Sequence, residues 1–372
     1  MSRKIRVLIV DDSTVIRRLL TDALSSDPAI EVAGIAANGK IALSKIPQLN
    51  PDIITLDMEM PEMDGITTLV ELRKLYPKLP VIMFSTLTHQ GAEATIDALA
   101  KGANDYVTKP ANVGSVTAAI ANVKSELIPK IKAFCSWALP KVTPVRPIVR
   151  TPTNTTLPSF LNTLAKRNTN KIDIIAIGVS TGGPNALQEV IPNLPADLPV
   201  PIVIVQHMPP IFTKHLANRL NALSKLNVVE ATAGESIQPG GVWLAPGDFH
   251  MVLKREGTAM KVVLNKGTPE NSCRPAVDVL FRSVAAIYGP NVLSVVLTGM
   301  GQDGARGCAV IRDAGGRTLV QDEATSVVWG MPGAVVQAGL ADKVLPLNQI
   351  AEEIVLETRH GRSIRSLASQ AH

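Results

Sequence analysis

Short apolar runs alternate with amphipathic segments in the first third of the chain. Five apolar runs suited to buried strands lie at residues 6–10, 31–36, 52–56, 81–84 and 105–107. The segments with helical periodicity that follow them lie at residues 13–26, 40–49, 67–76, 92–101 and 115–127. This alternation predicts a parallel five-stranded sheet with helices on both faces, and ligands of such sheets bind at the carboxyl ends of the strands.

A second α/β pattern occupies the last half of the chain. Long apolar runs that predict buried strands lie at residues 172–179, 201–205 and 292–297. Shorter apolar runs between glycine-rich turns lie at residues 242–245, 251–253 and 261–264. Helical segments follow the long runs, so we predict a doubly wound α/β domain with a mostly parallel sheet and a small antiparallel excursion.

A basic, proline-rich segment separates the two patterns. Between Leu127 and Ile172 there are eight Lys or Arg and no Asp or Glu, which explains the formal net charge of +5. A solvated tether, with at most a short helix at 159–166, fits this composition better than a surface for an acidic partner or a lipid. The predicted divisions are a first domain at 1–124, a linker at 125–171, a second domain at 172–358 and a tail at 359–372.

Composition narrows the class of protein further. The 372 residues are rich in aliphatic side chains, which suits two ordinary domains with parallel sheets buried on both faces. No apolar run reaches the roughly 18 residues of a transmembrane helix, so we expect no membrane insertion and a cytoplasmic location. Cys135, Cys273 and Cys308 lie far apart without CxxC spacing, which indicates neither a disulfide framework nor a zinc site.

Charged and hydroxyl side chains follow the predicted strands of the first domain. Asp11 and Asp12 follow the first strand, Asp57 the third, Ser85 the fourth and Lys109 the fifth. Parallel strands end at the same edge of a sheet, so the three carboxylates are expected to meet there. Such a cluster is costly unless a hard cation neutralises it, and Mg²⁺ prefers oxygen ligands of this kind.

This pattern over residues 1–124 resembles the receiver domain of response regulators. The resemblance implies a flavodoxin-like fold in which Asp57 accepts a phosphoryl group from a histidine kinase. The residues implied to hold Mg²⁺ are Asp11, Asp12 and Asp57. The residues implied to read out the phosphorylated state are Ser85, Tyr106 and Lys109, and the Lys109–Pro110 peptide is implied to be cis. The first domain is therefore expected to be a switch whose output lies elsewhere in the chain.

Three reactive side chains follow predicted strands of the second domain. Ser180, His207 and Asp303 each come after the carboxyl end of an apolar run and meet at one edge if those strands share a parallel sheet. A serine hydroxyl becomes nucleophilic when an imidazole accepts its proton, and a carboxylate orients that imidazole. The backbone N–H groups of Thr181 and Met300 are candidate donors to the oxyanion. The order Ser, His, Asp differs from that of α/β-hydrolases, so a convergent triad on another topology is expected.

Other assignments stay open on the sequence alone. His250 in the motif APGDFH is a rival base, Cys273 is a rival nucleophile, and Asp303 is suited to capping the following helix. Cys273 has no neighbouring base in sequence and is expected to be a buried small residue. A nucleotide-binding loop at 178–183 is excluded, because Ser180 stands where the second glycine is required and no P-loop Lys follows.

Six motifs of the second domain resemble those of the chemotaxis protein-glutamate methylesterase family. They are GVSTGG at 178–183, QHM at 206–208, APGDFH at 245–250, CRPAVDVLF at 273–281, TGMGQDG at 298–304 and DEATSVVWGMP at 322–332. The resemblance covers residues 172–358. It implies hydrolysis of glutamyl γ-methyl esters on methyl-accepting chemoreceptors, with deamidation of receptor glutamines as a second reaction.

The same resemblance implies roles for single residues. Ser180 is implied to be the nucleophile, His207 the base and Asp303 its orienting group, with oxyanion donors at Thr181 and Met300. No cofactor is expected for the esterase reaction, and the unphosphorylated receiver is implied to cover the site. The tail RHGRSIRSLASQAH matches no motif of the family, so the sequence does not indicate where a receptor docks.

Two other functions compete with that of a phosphorylation-gated hydrolase. A transcriptional regulator would use the same receiver with a DNA-binding output, but only the basic linker favours it, and no helix-turn-helix pattern follows residue 172. A binding module with an inactive hydrolase fold is disfavoured because Ser180, His207 and Asp303 are all present. We therefore expect no nucleic-acid partner.

Overall fold

The structure is a computed structural model that describes residues 3–110, 116–135 and 171–369. Side chains are described at 3–110, 118–135 and 171–359. The predicted helix at 159–166, most of the predicted linker and the end of the tail lie outside these residues. Within the described ranges, no helix combines the length and the apolar character that a membrane span requires.

The first domain is a five-stranded parallel sheet with helices on both faces. Its strands are β1 (Ile5–Val10), β2 (Ile30–Ala36), β3 (Ile53–Asp57), β4 (Val81–Ser85) and β5 (Asp105–Thr108). Its helices are α1 (Thr14–Ser25), α2 (Gly39–Leu49), α3 (Gly65–Leu75), α4 (His89–Ala100) and α5 (Val116–Phe134). The strand order β2-β1-β3-β4-β5, with every pair parallel, confirms the predicted receiver fold.

Side-chain alternation along the strands builds two cores in this domain. On β1, Val7 and Ile9 belong to the core that also holds Leu20 of α1, whereas Leu8 and Val10 belong to the core on the opposite face of the sheet. Successive strand residues point to opposite faces, so a strand buried on both sides is apolar at nearly every position. Polar side chains are few within these strands, and those of Asp57 and Ser85 lie at strand ends, where the first site forms.

The second domain has a seven-stranded parallel sheet and a separate antiparallel hairpin. Its strands are β6 (Ile174–Val179), β7 (Ile202–Gln206), β8 (Asn227–Glu230), β9 (Gly241–Leu244), β10 (His250–Glu256), β11 (Ala259–Asn265), β12 (Val292–Val296), β13 (Arg317–Gln321) and β14 (Lys343–Leu345). Its helices are α6 (Gly183–Val190), α7 (Phe212–Leu223), α8 (Val277–Tyr288), α9 (Ala305–Asp313), α10 (Met331–Gln337) and α11 (Leu347–Ser369). The order in the large sheet is β14-β13-β12-β6-β7-β9-β8.

The doubly wound α/β architecture is confirmed, but one strand was assigned to the wrong sheet. The predicted excursion included residues 242–245, whereas β9 pairs in parallel with β7 and β8, and only β10 and β11 form the antiparallel hairpin. A four-residue strand between glycine turns carries no signal for its partner, because pairing is decided by neighbours distant in sequence. Strands β8, β13 and β14 were not predicted.

Helix ends also extend past the predicted segments. Helix α5 continues to Phe134, which lies in the predicted linker, and α11 continues from the second domain through the predicted tail to Ser369. Ile131 and Cys135 at the end of α5 are fully buried in the first domain. Burial of this kind stabilises a helix that the surrounding basic composition did not suggest.

The three strands that precede Ser180, His207 and Asp303 are adjacent in the large sheet. β6 lies at the centre, with β12 on one side and β7 on the other, and all three run in parallel. Their carboxyl ends therefore open onto one edge. Gly178 lets α8 approach this edge closely, since a Cβ at that position would lie 2.3 Å from Cγ1 of Val277.

The two domains contact each other through α4 and α7. The ring of Tyr106, from β5, stacks on Phe212 at the start of α7, with centroids 4.9 Å apart and planes 7° from parallel. Asn185 Nδ2 of α6 donates a hydrogen bond of 3.0 Å to the carbonyl of Ala103. His89 and His215 meet edge to face at 5.9 Å. The contact thus joins the receiver to the helices that follow Ser180 and His207.

We predict that Gly178→Ala destabilises the second domain. The added methyl would overlap Val277, whose β-branched side chain has little rotamer freedom, and overpacking of this kind costs about 1–3 kcal/mol. Thermal unfolding followed by circular dichroism measures the change. The double variant Gly178→Ala/Val277→Ala removes the overlapping methyl groups and should recover part of the loss; an unchanged melting temperature in the single variant would contradict the close packing.

Candidate active site and phosphorylation site

Ser180 stands at a sharp corner between β6 and α6. Its N–H donates to the carbonyl of Thr298 at 3.0 Å, and its own carbonyl accepts from Gly183 N at 2.7 Å. Gly182 has a φ of 75°, and a Cβ there would lie 2.7 Å from Val327, so the turn requires glycine. The half-buried serine is thus held at the sheet edge by backbone bonds on both sides.

His207 is fixed beside this corner through its backbone. His207 N donates to the carbonyl of Val179 at 3.1 Å. The preceding Gln206 is buried, and its Nε2 donates to the carbonyls of both Ser180 and His207 at 3.0 Å. The end of β7 is therefore tied to the end of β6, and the two predicted reactive residues are carried by one hydrogen-bonded unit.

Asp303 is fully enclosed in the loop between β12 and α9. Its Oδ2 accepts from His207 Nε2 at 2.8 Å and from Val277 N at 2.7 Å. Its Oδ1 accepts from Asp278 N and Gly304 N at 3.0 Å and from Asn271 Nδ2 at 2.8 Å. The alternative of a helix cap is not supported, because Gly304 itself is the N-cap of α9 and no side chain caps this helix, whereas the contact with His207 is suited to orienting the imidazole.

The two ring nitrogens of His207 face different partners. Nε2 faces Asp303, and since a carboxylate only accepts hydrogen bonds, Nε2 carries a proton. Nδ1 is the nitrogen left for proton exchange, and Cys273 Sγ lies 3.5 Å from it. Burial opposes protonation, but hydrogen bonds and negative charge from Asp303 and Cys273 outweigh it and raise the pKa of His207 to about 9.

Cys273 is closer to the site than the sequence suggested. The expectation of a buried small residue is wrong, because Cys273 is partly exposed, and although no base neighbours it in sequence, its Sγ lies 3.5 Å from Nδ1 of His207. The two residues are distant in sequence, so no local pattern predicts their contact. The motif CRPAVDVLF was the only sequence feature that linked Cys273 to the second domain's site, and it did not indicate which residue Cys273 contacts.

His250, the rival base, is a structural histidine. It is 2% exposed, its Nε2 lies 3.0 Å from the carbonyl of Thr268, and its Nδ1 accepts from Ala276 N at 3.3 Å. Both ring nitrogens are therefore occupied by the backbone, which leaves neither for proton transfer. His250 instead joins the hairpin β10–β11 to the start of α8.

The predicted oxyanion donors belong to the two segments that meet at Ser180. Thr181 follows the serine directly in the buried turn. Gly299 packs on Ser180 so closely that a Cβ on it would lie 2.8 Å from Ser180 Cβ, which places its neighbour Met300 beside the same turn. Ser180 Oγ makes no hydrogen bond to His207 within the described part of the chain, although both side chains line one cavity.

The first domain brings its predicted acidic residues together. Carboxylate oxygens of Asp11, Asp12 and Asp57 all lie within 4.8 Å of one another. Lys109 Nζ lies 2.7 Å from Asp57 Oδ1 and 3.3 Å from Asp11 Oδ2. Burial, opposed by the hydrogen bond from Lys109 and reinforced by the charge of Asp11, raises the pKa of Asp57 to about 6.

This carboxylate cluster fits a divalent cation. Asp57 Oδ2 is buried and accepts no hydrogen bond from the described residues, although burial of an unpaired carboxylate oxygen is costly. Asp12 is exposed, so the cluster has an open side toward solvent. Oxygen ligands with room for water and phosphate are what Mg²⁺ requires, and Asp11, Asp12 and Asp57 are the residues that would hold it.

The other predicted switch residues of the receiver, Ser85 and Tyr106, contact different parts of the structure. The hydroxyl of Ser85 donates to the carbonyl of Gly91 in α4 at 3.1 Å, and Tyr106 is buried against Phe212. The expected cis peptide before Pro110 is wrong, since the one cis bond in the described ranges joins Arg274 to Pro275. Ser85 therefore contacts α4, and Tyr106 contacts the second domain directly.

A cavity of about 470 Å³ is lined by residues of both domains. The second domain contributes Ser180, Thr181 and His207 to its wall, and the receiver contributes Asp105, Tyr106, Glu126 and Lys130, among others. Lys130 Nζ pairs with Asp105 at 3.1 Å and donates to the carbonyl of Tyr106 at 2.6 Å. The candidate active site is thus partly walled by the switch domain.

These features define a response regulator whose output domain has the arrangement of a serine hydrolase. The family model for the response regulator receiver domain matches residues 7–121, and that for the CheB methylesterase matches residues 175–354. A protein-glutamate methylesterase/protein-glutamine glutaminase of Trichodesmium erythraeum is 54% identical over 95% of this chain and 98% of that protein. One from Nocardioides is 50% identical over 94% of each chain.

The chain belongs to the protein-glutamate methylesterase/protein-glutamine glutaminase family. Among solved structures, the CheB methylesterase catalytic domain of Thermotoga maritima is 47% identical, covering 50% of this chain and 98% of that one with a TM-score of 0.49.

We predict that Cys273→Ala retains esterase activity and moves its acid limb to lower pH. His207 must be neutral to accept a proton, and removing the thiol removes one cause of its raised pKa. Each pH unit of displacement increases the neutral fraction below the limb about tenfold. Methanol release as a function of pH measures this, with Cys135→Ala in the receiver as control. Loss of activity only in Cys273→Ala would instead identify the thiol as the nucleophile.

Proposed function

We propose that this protein is a phosphorylation-activated methylesterase. It hydrolyses glutamyl γ-methyl esters on methyl-accepting chemoreceptors and deamidates receptor glutamines, as part of chemotaxis adaptation. Membership of the family supports the reaction, because relatives at 54% and 50% identity along nearly the whole chain carry that name. The geometry of the second domain supports a mechanism based on Ser180, His207 and Asp303.

Ser180 is the nucleophile of the proposed reaction. His207 Nδ1 accepts the hydroxyl proton as Ser180 Oγ attacks the ester carbonyl, and Asp303 holds Nε2 and stabilises the imidazolium that forms. The tetrahedral oxyanion is stabilised by the backbone N–H groups of Thr181 and Met300. His207 then protonates the departing methoxide, so that methanol leaves and a glutamyl ester remains on Ser180.

Water completes the cycle. His207 Nδ1 accepts a proton from the water that attacks the acyl ester, and the same proton returns to Ser180 Oγ as the glutamate carboxylate is released. With a glutamine side chain the first leaving group is ammonia and every later step is the same. One acyl-enzyme therefore accounts for both reactions.

The observation that carries the proposal is the contact of 2.8 Å between His207 and Asp303 in the cavity that Ser180 lines. This contact commits Nε2 to the carboxylate and leaves Nδ1 facing Cys273, on the wall of the cavity that Ser180 also lines. Asp303 accepts five hydrogen bonds, which is more than the capping of a helix requires. The bonds of Gln206 to the backbones of Ser180 and His207 add support for joint action.

Regulation is proposed to act through the shared cavity. A histidine kinase phosphorylates Asp57, and Mg²⁺ bound by Asp11, Asp12 and Asp57 would neutralise the charge of the transferred phosphoryl group. The new charge competes for Lys109, which in this structure pairs with Asp57 and Asp11. Tyr106 lies in β5 and Lys109 directly follows this strand. A change at Lys109 therefore reaches the stack of Tyr106 on Phe212 and the wall of the active site.

We predict that Ser180→Ala abolishes methanol release from methylated chemoreceptors. Removing the nucleophile of a triad lowers kcat by roughly 10⁴- to 10⁶-fold. Gas chromatography of released methanol measures the reaction, and phosphorylation of Asp57 by a small phosphodonor provides the control for folding. Residual esterase activity near that of the natural chain would reject the proposed nucleophile.

We also predict that a small phosphodonor with Mg²⁺ raises esterase activity of the natural chain but not of Asp57→Asn. Asn has the size of Asp and cannot accept the phosphoryl group. The measurement is methanol release before and after addition of phosphodonor, with Glu71→Gln on the exposed face of α3 as matched control. Equal stimulation of Asp57→Asn and the control would show that gating does not depend on this aspartate.

A further inference from the structure

A tight turn before the motif CRPAVDVLF contacts two members of the proposed triad. Glu270 N donates to the carbonyl of Cys273 at 3.1 Å, and Cys273 N donates back to the carbonyl of Glu270 at 2.8 Å. The two central residues, Asn271 and Ser272, have φ values of 50° and 62°. Left-handed pairs of this kind form hairpin turns of the primed type, and asparagine tolerates the conformation better than most residues.

The turn directs two side chains to the pair formed by His207 and Asp303. Cys273, its last residue, lies on Nδ1 of His207. Asn271 Nδ2 donates to Asp303 Oδ1 at 2.8 Å and to Asp278 Oδ2 at 3.1 Å. One amide group therefore bridges two carboxylates, one from the loop after β12 and the other from α8.

The negative charges of Asp303 and Asp278 repel each other, and the Asn271 amide that bridges them reduces this repulsion. Asp303 is 1% exposed and Asp278 is fully buried. Asp278 Oδ1 accepts from Gly304 N at 3.0 Å and Gly307 N at 2.7 Å, so it holds the start of α9 directly behind Asp303. Each carboxylate accepts bonds only, and neighbouring charges of equal sign are unfavourable unless donors lie between them.

We propose that Asn271 is a positioning residue of the esterase, which keeps Asp303 in the orientation that holds His207 Nε2. This inference rests on the proposed function, because it assigns a purpose to the contact between Asp303 and His207. The two hydrogens of the Asn271 amide are both used, and its Oδ1 accepts from Arg306 at 3.3 Å. Every polar atom of this side chain therefore serves the acidic pair or its surroundings.

Other charges face this region and remain unchanged in the variants described below. Arg306 approaches Asp278 at 3.9 Å from α9, and Arg282 of α8 pairs with Glu270 at the start of the turn. Asp105, Glu126 and Lys130 face the cavity from the receiver. A new negative charge at position 271 would lie nearer to Asp303 than any of these receiver groups, since the amide it replaces touches Asp303.

The test compares N271D with the natural chain in the methanol-release assay across pH. Aspartate fits the left-handed turn but replaces the bridging donor with a third carboxylate, which favours the protonated form of His207. We expect an unchanged KM, a lower kcat and an acid limb displaced to higher pH by roughly one unit, which lowers kcat/KM below the limb about tenfold. The deficit should shrink toward high pH, whereas simple loss of folded protein lowers activity equally at every pH.

Matched variants separate this role from turn stability. Ser272 is exposed at the adjacent left-handed position, so S272N tests the turn without touching the acidic pair and should match the natural chain in kcat and pH limb. N271G keeps the backbone conformation, removes the amide and should lower kcat even if N271D fails to fold. The proposal is overturned if N271D or N271G retains the natural kcat and limb, or if S272N loses as much. Activity remaining in Ser180→Ala would instead overturn the proposed function.

Discussion

The hydrogen bond between His207 Nε2 and Asp303 Oδ2 is the interaction on which the second domain's site depends. A buried carboxylate is stable only when its lone pairs are filled, and here the partners come from separate parts of the chain. Val277 and Asp278 supply backbone N–H groups from the start of α8, where the helix dipole favours negative charge. The position of α8, and hence the contact of Gly178 with Val277, therefore determines where the imidazole lies.

The receiver solves the same problem in a different way. Its carboxylates also lie at strand ends, but Lys109 neutralises only part of their charge, and burial leaves the pKa of Asp57 raised. Asp303 instead has five donors, and the contact with His207 holds its pKa below the usual range despite burial. The receiver cluster keeps an unpaired carboxylate oxygen, which suits the proposed binding of a cation and a phosphoryl group, whereas Asp303 is saturated, which suits the proposed orienting role.

Strand ends were the part of both sites that the sequence could predict. Asp57, Lys109, Ser180, His207 and Asp303 each follow an apolar run, and parallel order brings such positions to one edge. Contacts made by irregular segments could not be predicted in this way. The turn that carries Asn271 and Cys273 lies between the hairpin β10–β11 and α8, and its contacts with Asp303 and His207 join residues distant in sequence. Strand β9 was misplaced because a short strand does not encode its partner.

Nδ1 of His207 has a single lone pair, so it accepts one hydrogen bond at a time. Cys273 Sγ lies against that nitrogen, and Ser180 Oγ, on the same cavity wall, makes no bond to it in the described residues. The thiol and the hydroxyl are therefore alternative partners, and the proton transfer proposed for Ser180 would require the thiol to leave Nδ1. Tyr106 and Lys130 of the receiver line the same cavity, so the proposed proton transfer would take place next to the contact between the domains.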